Sequence, residues 1–500
     1  MGKYRNWLGW IVFLLLIYFP IFLHLDTLSL RNWDEARRGV NAFEAAVHGH
    51  WIVTYFDGAP DMWGTKPPLL IWLQALFMKM LGYNELAVRL PVALAALATV
   101  LLLVWFAEKI LYNPLIGFLA GLILVTSDGF IESHGAISGD FDGLLMLWIT
   151  VYSLAFWRFT QIHQPEERQV WWYTFIAALV LAALTKGVAA FFPLPALLLF
   201  TWQQRQFKPL LQSPHTYLGA AIVLVCVAGF YLTREWLNPG FLQAVWGNEL
   251  GGRYMQPLEG QGQAWYYYIW YLWTQKPFFP WIYLVPVGLI ISLWQPGRWR
   301  SLGIFLLLEI AVVLAILSFS ATKIRWYVLP LFPPFALLAA LPLGQAYLWL
   351  MQQLRIDRRT WWAQGLLLIW LGLWFILPYR QGVQKVYAFE HHGFLRDEHL
   401  YRDFMRRNDQ VKHYTIVHPN YSGHVIFYRK VFNQNGYDIR SQPMYAFQTK
   451  EKVPFGSHLL HFVSGDTVMV CETAARDSFL HYYPARSIQE WDNCRLLVVE

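Results

Sequence analysis

Long apolar runs recur along most of this chain of 500 residues, and they restrict its fold more than any other feature. A helix needs about 20 apolar residues to cross the core of a bilayer. About eleven runs approach this length, at 7–25, 87–107, 113–127, 141–160, 171–184, 187–203, 216–233, 278–295, 302–319, 326–349 and 362–378. Since 56% of the residues are hydrophobic and 14% are charged, we predict an α-helical polytopic membrane protein.

The basic residues predict an orientation in the membrane. The net charge of +7 does not indicate nucleic-acid binding, because Lys and Arg are scattered between the apolar runs. The first run lacks a cleavage pattern after it, so we expect a retained span rather than a signal peptide. With a cytoplasmic N-terminus, every cytoplasmic segment carries positive charge. The opposite face then receives the segments 26–86, 128–140, 185–187, 234–277, 320–325 and 379–500.

The chain changes character after Pro378, where the long apolar runs stop. We predict a membrane domain over 1–378 and a small soluble extracytoplasmic α/β domain over 379–500. The predicted elements of the second domain are a helix at 397–407 and strands at 414–417, 424–428 and 467–471. Of the three cysteines, Cys471 and Cys494 lie in this domain and leave one possible disulfide, with no CxxC metal pattern.

An acidic and basic cluster occupies 34–38, shortly after the first span. Asn32 and Glu35 have the spacing of a helix capping box, which is the simpler explanation of Glu35. That explanation leaves open why further charges crowd the membrane surface here. Because a carboxylate beside a guanidinium stays ionised, we interpret Asp34, one helical turn from Arg38, as a candidate general base. The candidate site residues of this cluster are Asp34, Glu35, Arg37 and Arg38.

Lys66 stands directly before Pro67 and Pro68, which fix the direction of the apolar helical stretch that follows. A lysine in this place can also extend toward lipid headgroups. We favour contact with a phosphate, for which the lysine ammonium is a point charge.

Asp140 and Asp142 lie at the outer end of the run 141–160, where ionisable groups are costly unless they face water or a partner. A helix cap and a solvated loop are the alternatives. Because they are two residues apart, Asp140 and Asp142 point to different faces of a helix. We therefore expect only one of them to reach a site, and the sequence does not decide which. Lys186 interrupts an apolar stretch and needs an anionic partner or an aqueous cavity, unless it belongs to a simple connecting loop.

The segment 320–327 adds Lys323, Arg325 and Tyr327 to the same predicted face, and Arg253 in 234–277 is a further candidate. Arginine offers phosphate a bidentate geometry that lysine does not. The many Trp and Tyr residues of 234–277 are also typical of membrane interfaces.

Three residues, Glu132, His134 and Glu249, are possible metal ligands, but no HExxH spacing supports them. The glycines in 251–262 lack the strand–turn–helix context of a nucleotide-binding loop. We therefore predict neither a metal nor a nucleotide.

Four short motifs, taken in order, resemble a known family: WDEAR at 33–37, TKPPL at 65–69, GDFD at 139–142 and LTKG at 184–187. Over about 5–350 the chain is similar to the aminoarabinose-transferase and protein-mannosyltransferase-like branch of the bacterial C-type glycosyltransferases. The resemblance implies a fold of about 11–13 transmembrane helices. It also implies inverting transfer of a sugar from a polyprenyl (undecaprenyl) phosphate donor to a lipid, glycan or protein acceptor on the outer face of the cytoplasmic membrane. Lipid A modification and protein glycosylation in the cell envelope are examples of such transfer.

By this resemblance Asp34 is the catalytic carboxylate, Lys66 contacts the phosphate, and Asp140 or Asp142 is a second essential acid. The positions that resemble the lining of the lipid-phosphate pocket are Lys186, Lys323, Arg325 and Tyr327. The aminoarabinose transferases bind a metal through a Glu before the lysine and a His in a later outer loop. Thr65 and the glutamines of 259–263 stand at those positions here, which argues against a metal and against lipid A as the acceptor.

Two other functions fit a polytopic chain with charged outer segments. A flippase or transporter of lipid-linked sugars also needs cationic pockets, but it usually carries charges at mid-membrane and an internal repeat. A membrane anchor for the C-terminal domain would need far fewer spans. We therefore predict an enzyme without a cofactor, whose partners are the donor, the acceptor and membrane lipids, and not nucleic acid.

Overall fold

A computed structural model gives the fold of the protein. It describes residues 2–132, 134–258, 260–357, 360–388, 393–418, 421–443 and 461–500. The chain divides into two compact units. The helical unit comprises Met1–Leu23, Met62–Leu70 and Pro91–Val386, and the mixed unit comprises His24–Asp61, Ile71–Leu90 and Tyr387–Glu500.

The helical unit follows from the succession of apolar runs, each of which satisfies its own backbone hydrogen bonds as a helix. Its α-helices, including those divided between the units, are Gly2–Phe22, Leu69–Leu81, Glu85–Lys109, Pro114–Val125, Asp128–Ile131, Phe141–Gln161, Pro165–Lys186, Leu194–Gln203, Phe207–Gln212, Pro214–Leu237, Phe241–Val245, Tyr267–Trp270, Leu284–Trp294, Arg298–Phe319, Phe332–Gln353 and Trp361–Ala388. The 3₁₀-helical turns are Gly187–Phe191, Trp281–Tyr283 and Arg325–Leu331, and the π-helical turns are Trp246–Leu250 and Tyr271–Gln275.

Among the described residues, seven helices are long and apolar enough to cross a membrane: Glu85–Lys109, Phe141–Gln161, Pro165–Phe191, Pro214–Leu237, Arg298–Phe319, Arg325–Gln353 and Trp362–Val386. The shorter apolar helices are Gly9–Phe22, Leu69–Leu81, Pro114–Val125, Leu194–Gln203 and Trp281–Trp294. The prediction of an α-helical polytopic membrane protein is confirmed, although several predicted spans are shorter than a bilayer crossing.

Prolines explain two of the differences between the helices and the predicted spans. The run 187–203 is not one span but the turn Gly187–Phe191 followed by the helix Leu194–Gln203, because Pro193 lies between them and cannot continue a hydrogen-bond ladder. The helix predicted over 171–184 begins earlier, with Pro165 in its first turn. The helix Trp361–Ala388 continues past the boundary predicted at Pro378.

The mixed unit contains a short antiparallel hairpin and a five-stranded sheet. The hairpin consists of β1 (Tyr55–Phe56) and β2 (Ala59–Pro60). The sheet consists of β3 (His413–His418), β4 (Asp438–Pro443), β5 (Thr467–Val470), β6 (Ala485–Trp491) and β7 (Cys494–Val499), in the order β4-β3-β5-β7-β6. Strand β3 is parallel to β4 and β5, whereas β7 is antiparallel to β5 and β6. The helices of this unit are Asp34–His48, Gly393–Arg407, Gly423–Gln434 and Thr473–Tyr482.

The strand predicted at 424–428 is wrong, because these residues lie in the helix Gly423–Gln434. Two parallel neighbouring strands need a crossover connection, and this helix connects β3 to β4. Tertiary packing therefore overrides the strand preference of its β-branched and aromatic residues. The predicted strands at 414–417 and 467–471 and the predicted helix at 397–407 are present, and Cys471 and Cys494 form the disulfide that the sequence left possible.

The helix Asp34–His48 packs into the apolar core of the mixed unit. Ala36, Val40 and Phe43 belong to the same buried cluster as Phe427 of the helix Gly423–Gln434. A Cβ on Gly39 would lie 3.0 Å from Leu30 Cδ1 and 3.2 Å from Phe427 Cδ2, so the glycine allows a close approach. This packing fixes the helix that begins with Asp34.

Candidate functional site

Lys66 and Glu249 form an ion pair in the helical unit. Lys66 Nζ lies 3.0 Å from Glu249 Oε1, and Thr65 Oγ1 donates to the same oxygen at 2.6 Å. Burial raises the pKa of Glu249, but attraction to Lys66 and the hydrogen bonds from Thr65 and Lys66 outweigh it and lower the pKa to about 2. Glu249 is therefore an anion at neutral pH, beside the lysine that the sequence assigns to phosphate.

Local backbone structure places the two partners. Pro67 and Pro68 follow Lys66 and direct the chain into the helix Leu69–Leu81. Glu249 lies in the π-helical turn Trp246–Leu250, after which the Gly251 N–H donates to the Trp246 carbonyl at 2.7 Å. Single π-helical turns are rare and are frequent at functional sites.

Asp142 and Lys186 form a second ion pair, which is buried, with side chains 4% and 7% exposed. Asp142 lies in the first turn of the helix Phe141–Gln161, and Lys186 is the last residue of Pro165–Lys186. Both positions suit the helix dipole, which favours an anion at the N-terminus and a cation at the C-terminus. Of the alternatives that the sequence left open for Lys186, the structure shows an anionic partner, Asp142.

His134 joins the two aspartates of the GDFD motif. Its Nδ1 lies 3.6 Å from Asp140 Oδ2 and 3.5 Å from Asp142 Oδ2. The ring stacks on Trp326, with centroids 3.6 Å apart and planes 8° apart. Ser138 Oγ donates to Asp140 Oδ2 at 3.1 Å. The sequence named His134 only as a possible metal ligand, whereas the structure makes it the neighbour of both acids.

One cavity brings together charged residues from several segments of the helical unit. The empty space between its lining residues is about 720 Å³, which includes space open to solvent. Its charged lining residues are Lys66, Asp142, Lys186, Glu249 and Arg253, and its other lining residues include Leu145, Ile149, Phe192, Tyr254, Val313, Leu317 and Tyr327. The cavity therefore combines a charged cluster with apolar walls, and apolar surroundings strengthen electrostatic interactions.

Arg253 and Tyr327 contact each other in the cavity, and backbone hydrogen bonds join the segments that carry them. Arg253 Nη1 donates to Tyr327 Oη at 3.2 Å, and Lys186 Nζ lies 4.8 Å from the centre of the Tyr327 ring. The backbone N–H groups of Ala321 and Thr322 donate to the carbonyls of Tyr254 and Arg253 at 3.0 and 2.9 Å. The segment just before Tyr327 is therefore pinned to the segment that carries Arg253.

Two cations that the sequence assigns to the phosphate pocket lie elsewhere in the described structure. Lys323 Nζ donates to the backbone carbonyl of Ser320 at 2.6 Å, its side chain is buried, and burial lowers its pKa. Arg325 lines a separate, smaller cavity together with Glu132 and Tyr271. Neither residue is among the described residues that line the cavity of Lys66.

In the mixed unit, Asp34 and Arg38 form the ion pair that their spacing predicts. Arg38 Nη2 lies 3.0 Å from Asp34 Oδ1. The Asp34 side chain is 41% exposed, whereas that of Arg38 is 8% exposed. Asp34 is the first residue of its helix, where the dipole stabilises a carboxylate. Solvent can therefore reach this carboxylate.

The neighbours of Asp34 have partners inside the mixed unit. Glu35 is 1% exposed and accepts from Arg89 Nε at 2.7 Å and Arg89 Nη2 at 2.9 Å. Arg37 Nε donates to Asp61 Oδ2 at 2.9 Å, and its guanidinium lies over the ring of Phe56. We therefore leave Glu35 and Arg37 out of the candidate site.

The capping box suggested for Asn32 and Glu35 is not formed. The residue before the helix is Trp33, and the Asn32 Oδ1 instead accepts from the Gly423 N–H at 2.7 Å. Glu35 Oε2 accepts from the Arg31 N–H at 2.9 Å, one residue before the capping-box position.

The three possible metal ligands, Glu132, His134 and Glu249, each contact different side chains. Glu132 Oε1 lies 3.5 Å from Lys385 Nζ, His134 faces the two aspartates, and Glu249 binds Lys66. Thr65, at the position of the family's metal-binding Glu, is a hydroxyl that donates to Glu249. A neutral hydroxyl that donates to a carboxylate does not fit a divalent cation at this position.

The chain is similar in sequence to several known proteins. Residues 65–232 match the model of a family described as dolichyl-phosphate-mannose-protein mannosyltransferase. An undecaprenyl phosphate-alpha-4-amino-4-deoxy-L-arabinose arabinosyl transferase of Pseudomonas fluorescens is 27% identical over 337 residues, which cover 66% of this chain and 57% of the relative. The transferase of that description from Pseudomonas savastanoi pv. phaseolicola is 30% identical over 332 residues, covering 66% and 59%. The chain thus matches less than two thirds of the length of these relatives.

Solved structures share the fold over nearly the whole chain. ArnT from Cupriavidus metallidurans bound to undecaprenyl phosphate matches with a TM-score of 0.71 and 17% identity, covering 98% of each chain. The Archaeoglobus fulgidus oligosaccharyltransferase tethered with an acceptor peptide matches with a TM-score of 0.53 and 12% identity, covering 88% of this chain and 64% of the other. The chain is therefore similar in sequence to undecaprenyl phosphate aminoarabinose transferases, and it has the fold of ArnT.

Proposed function

We propose that the protein transfers a sugar from a polyprenyl phosphate donor to an acceptor, and that the cavity of Lys66, Lys186 and Arg253 binds the donor phosphate. The observation that carries this proposal is the combination of three cations with apolar walls in one cavity. Such a lining suits an amphiphile that joins a phosphate to a hydrocarbon chain. The names of the relatives, which are transferases that use undecaprenyl phosphate, support the same donor class.

Each cation has a distinct part in the proposed chemistry. Arg253 offers a planar, bidentate donor to the phosphate, while Lys66 and Lys186 are point charges. The bond between the anomeric carbon and the phosphate oxygen breaks, and its electron pair stays on that oxygen. The three cations and the Tyr327 hydroxyl then stabilise the charge that develops on the leaving phosphate.

Asp34 is our candidate for the general base. It takes the proton of the acceptor hydroxyl while that oxygen forms the new bond to the anomeric carbon from the side opposite the phosphate, which inverts the configuration. Its solvent-accessible carboxylate, paired with Arg38, suits this part. Asp142 positions Lys186, and we take Asp140 as the candidate for the second acid.

We propose that the mixed unit faces the outside of a bacterial cytoplasmic membrane. The disulfide between Cys471 and Cys494 supports this placement, because disulfides persist in oxidising compartments. The acceptor is then a lipid, a glycan or a protein that is accessible from that side.

Lipid binding by the purified protein tests the cavity directly. Polyprenyl phosphate would be titrated into wild type, Lys66→Met, Arg253→Met and Lys208→Met in lipid nanodiscs. Lys208 is an exposed cation outside the cavity and serves as the matched control. We expect the two cavity variants to bind about tenfold more weakly or worse, which is 1.4 kcal/mol, and the control to bind like wild type. Equal binding by all four proteins would show that the phosphate binds elsewhere.

A further inference from the structure

We propose that Glu249 tunes the charge of the cavity so that it accepts a phosphate diester and releases a phosphate monoester. The proposal rests on the proposed function and adds a specificity residue to it. Glu249 acts through the charge that it contributes next to Lys66, and not through contact with the reacting carbon.

The charges of the cavity are nearly balanced. Its described lining residues include three cations, Lys66, Lys186 and Arg253, and two carboxylates, Asp142 and Glu249. These leave one net positive charge. Glu249 Oε1 receives hydrogen bonds from Thr65 and Lys66, so the carboxylate is fixed in the cavity and cannot turn away without losing two contacts.

Substrate and product differ in charge by up to one unit. The donor is a phosphate diester with a single negative charge. When its glycosidic bond breaks, the lipid leaves as a phosphate monoester, which carries about −1.5 to −2 at neutral pH because its second pKa is about 6. Without Glu249 the cavity would carry two net positive charges, would bind this product more tightly than the donor and would retain it.

The fixed carboxylate of Glu249 reduces the preference of the cavity for the product over the donor. One net positive charge matches the monoanionic donor, and the extra negative charge of the product is repelled by Glu249 across apolar surroundings in which such interactions are strong. The donor loses a little affinity from the same carboxylate, but the product loses more. Release of the lipid phosphate is thereby accelerated at the end of each turnover.

The decisive comparison is between Glu249→Gln, which removes the charge but keeps the shape, and Glu249→Asp, which keeps the charge. In Glu249→Gln we expect the ratio of the inhibition constant of polyprenyl phosphate to the KM of the donor to fall about tenfold, equivalent to 1.4 kcal/mol. We also expect the steady-state kcat to fall while the single-turnover rate does not. Glu249→Asp should keep the wild-type ratio of the two constants.

Thr65→Val separates the charge from the hydrogen bond, because it removes the donor to Glu249 Oε1 and leaves the carboxylate ionised. We expect its ratio of inhibition constant to KM to match wild type. If single-turnover and steady-state rates fall together in Glu249→Gln with an unchanged ratio, Glu249 only positions Lys66 and the proposal is overturned.

A binding measurement keeps the proposal testable if the Gln variant folds poorly. Wild type would be titrated with polyprenyl phosphate and with its methyl diester. We expect the wild-type protein to bind the two lipids within about tenfold of each other, and a strong preference for the monoester would contradict the proposal. Failure of wild type to bind either lipid or to transfer sugar would instead overturn the proposed function itself.

Discussion

Arg89 binds both carboxylate oxygens of Glu35, with Nε 2.7 Å from Oε1 and Nη2 2.9 Å from Oε2. Burial raises the pKa of Glu35, but the attraction of Arg89 outweighs it and lowers the pKa below its ordinary value. Asp34, the preceding residue, is 41% exposed and lies beside Arg38. Two adjacent acids thus differ in kind: Glu35 stabilises the interior of the mixed unit, and Asp34 is accessible for chemistry.

This difference predicts opposite effects of two similar substitutions. Glu35→Gln should lower the free energy of unfolding by about 3 kcal/mol or more, because breaking a buried pair leaves the Arg89 charge uncompensated. Asp34→Asn should abolish transfer while leaving the melting temperature almost unchanged. Thermal unfolding in detergent measures both. A stable Glu35→Gln protein without transfer activity would return Glu35 to the catalytic residues that the sequence suggested.

Arg253 and Arg325 should also behave differently. Arg253→Lys loses the planar donor pair and the contact to Tyr327, so we expect the KM for the donor to rise about tenfold. Arg325→Lys alters the smaller, separate cavity and should leave that KM near the wild-type value. The comparison requires only steady-state kinetics with a labelled donor. A similar rise in both variants would mean that one phosphate site includes both arginines.

The ionisation of Glu249 predicts a specific pH dependence of stability. Its pKa is lowered from 4.5 to about 2 in the folded protein, so its pairing contributes stability above pH 4.5 that is lost as the pH falls through 2. Glu249→Gln should therefore melt at a lower temperature than wild type at pH 7, and the difference should shrink toward pH 3. A difference that does not change with pH would show that the ion pair does not stabilise the fold.

The disulfide should stabilise the mixed unit. Cys471 and Cys494 are separated by 23 residues, and closing a loop of this size stabilises a fold by about 2–4 kcal/mol. The double variant Cys471→Ala with Cys494→Ala should unfold at a lower temperature than wild type. Cys226→Ala changes the free cysteine and should have little effect. Equal melting of the double variant and wild type would contradict a stabilising bridge.

Much of the lining of the cavity could be predicted, because the charge bias and the motif positions independently indicated the same face of the membrane. Charge bias assigned the segments of Lys66, Lys186, Arg253 and Tyr327 to one face, and these four residues line one cavity. The partners of the cations could not be predicted. Glu249 lies 183 residues from Lys66 in a segment without a motif, and only the folded backbone brings the two together.

The errors in the fold have equally local causes. Hydropathy does not register that Pro193 divides the run 187–203 into two short helices. The segment 424–428 is β-prone by composition, yet the parallel pairing of β3 and β4 requires a helix between them. Glu35 illustrates the same limit at the site, because its pairing with Arg89 bridges residues 54 apart in the chain.

The most direct test of the proposed activity is acceptor-dependent sugar transfer by the purified protein in lipid. Wild type and Asp34→Asn would be compared with a panel of labelled polyprenyl phosphate sugars, with and without a chelator. We expect wild type to transfer sugar irrespective of the chelator and Asp34→Asn to transfer none. Labelled lipid that crosses the bilayer without consumption of the donor would contradict the enzyme and establish a transporter.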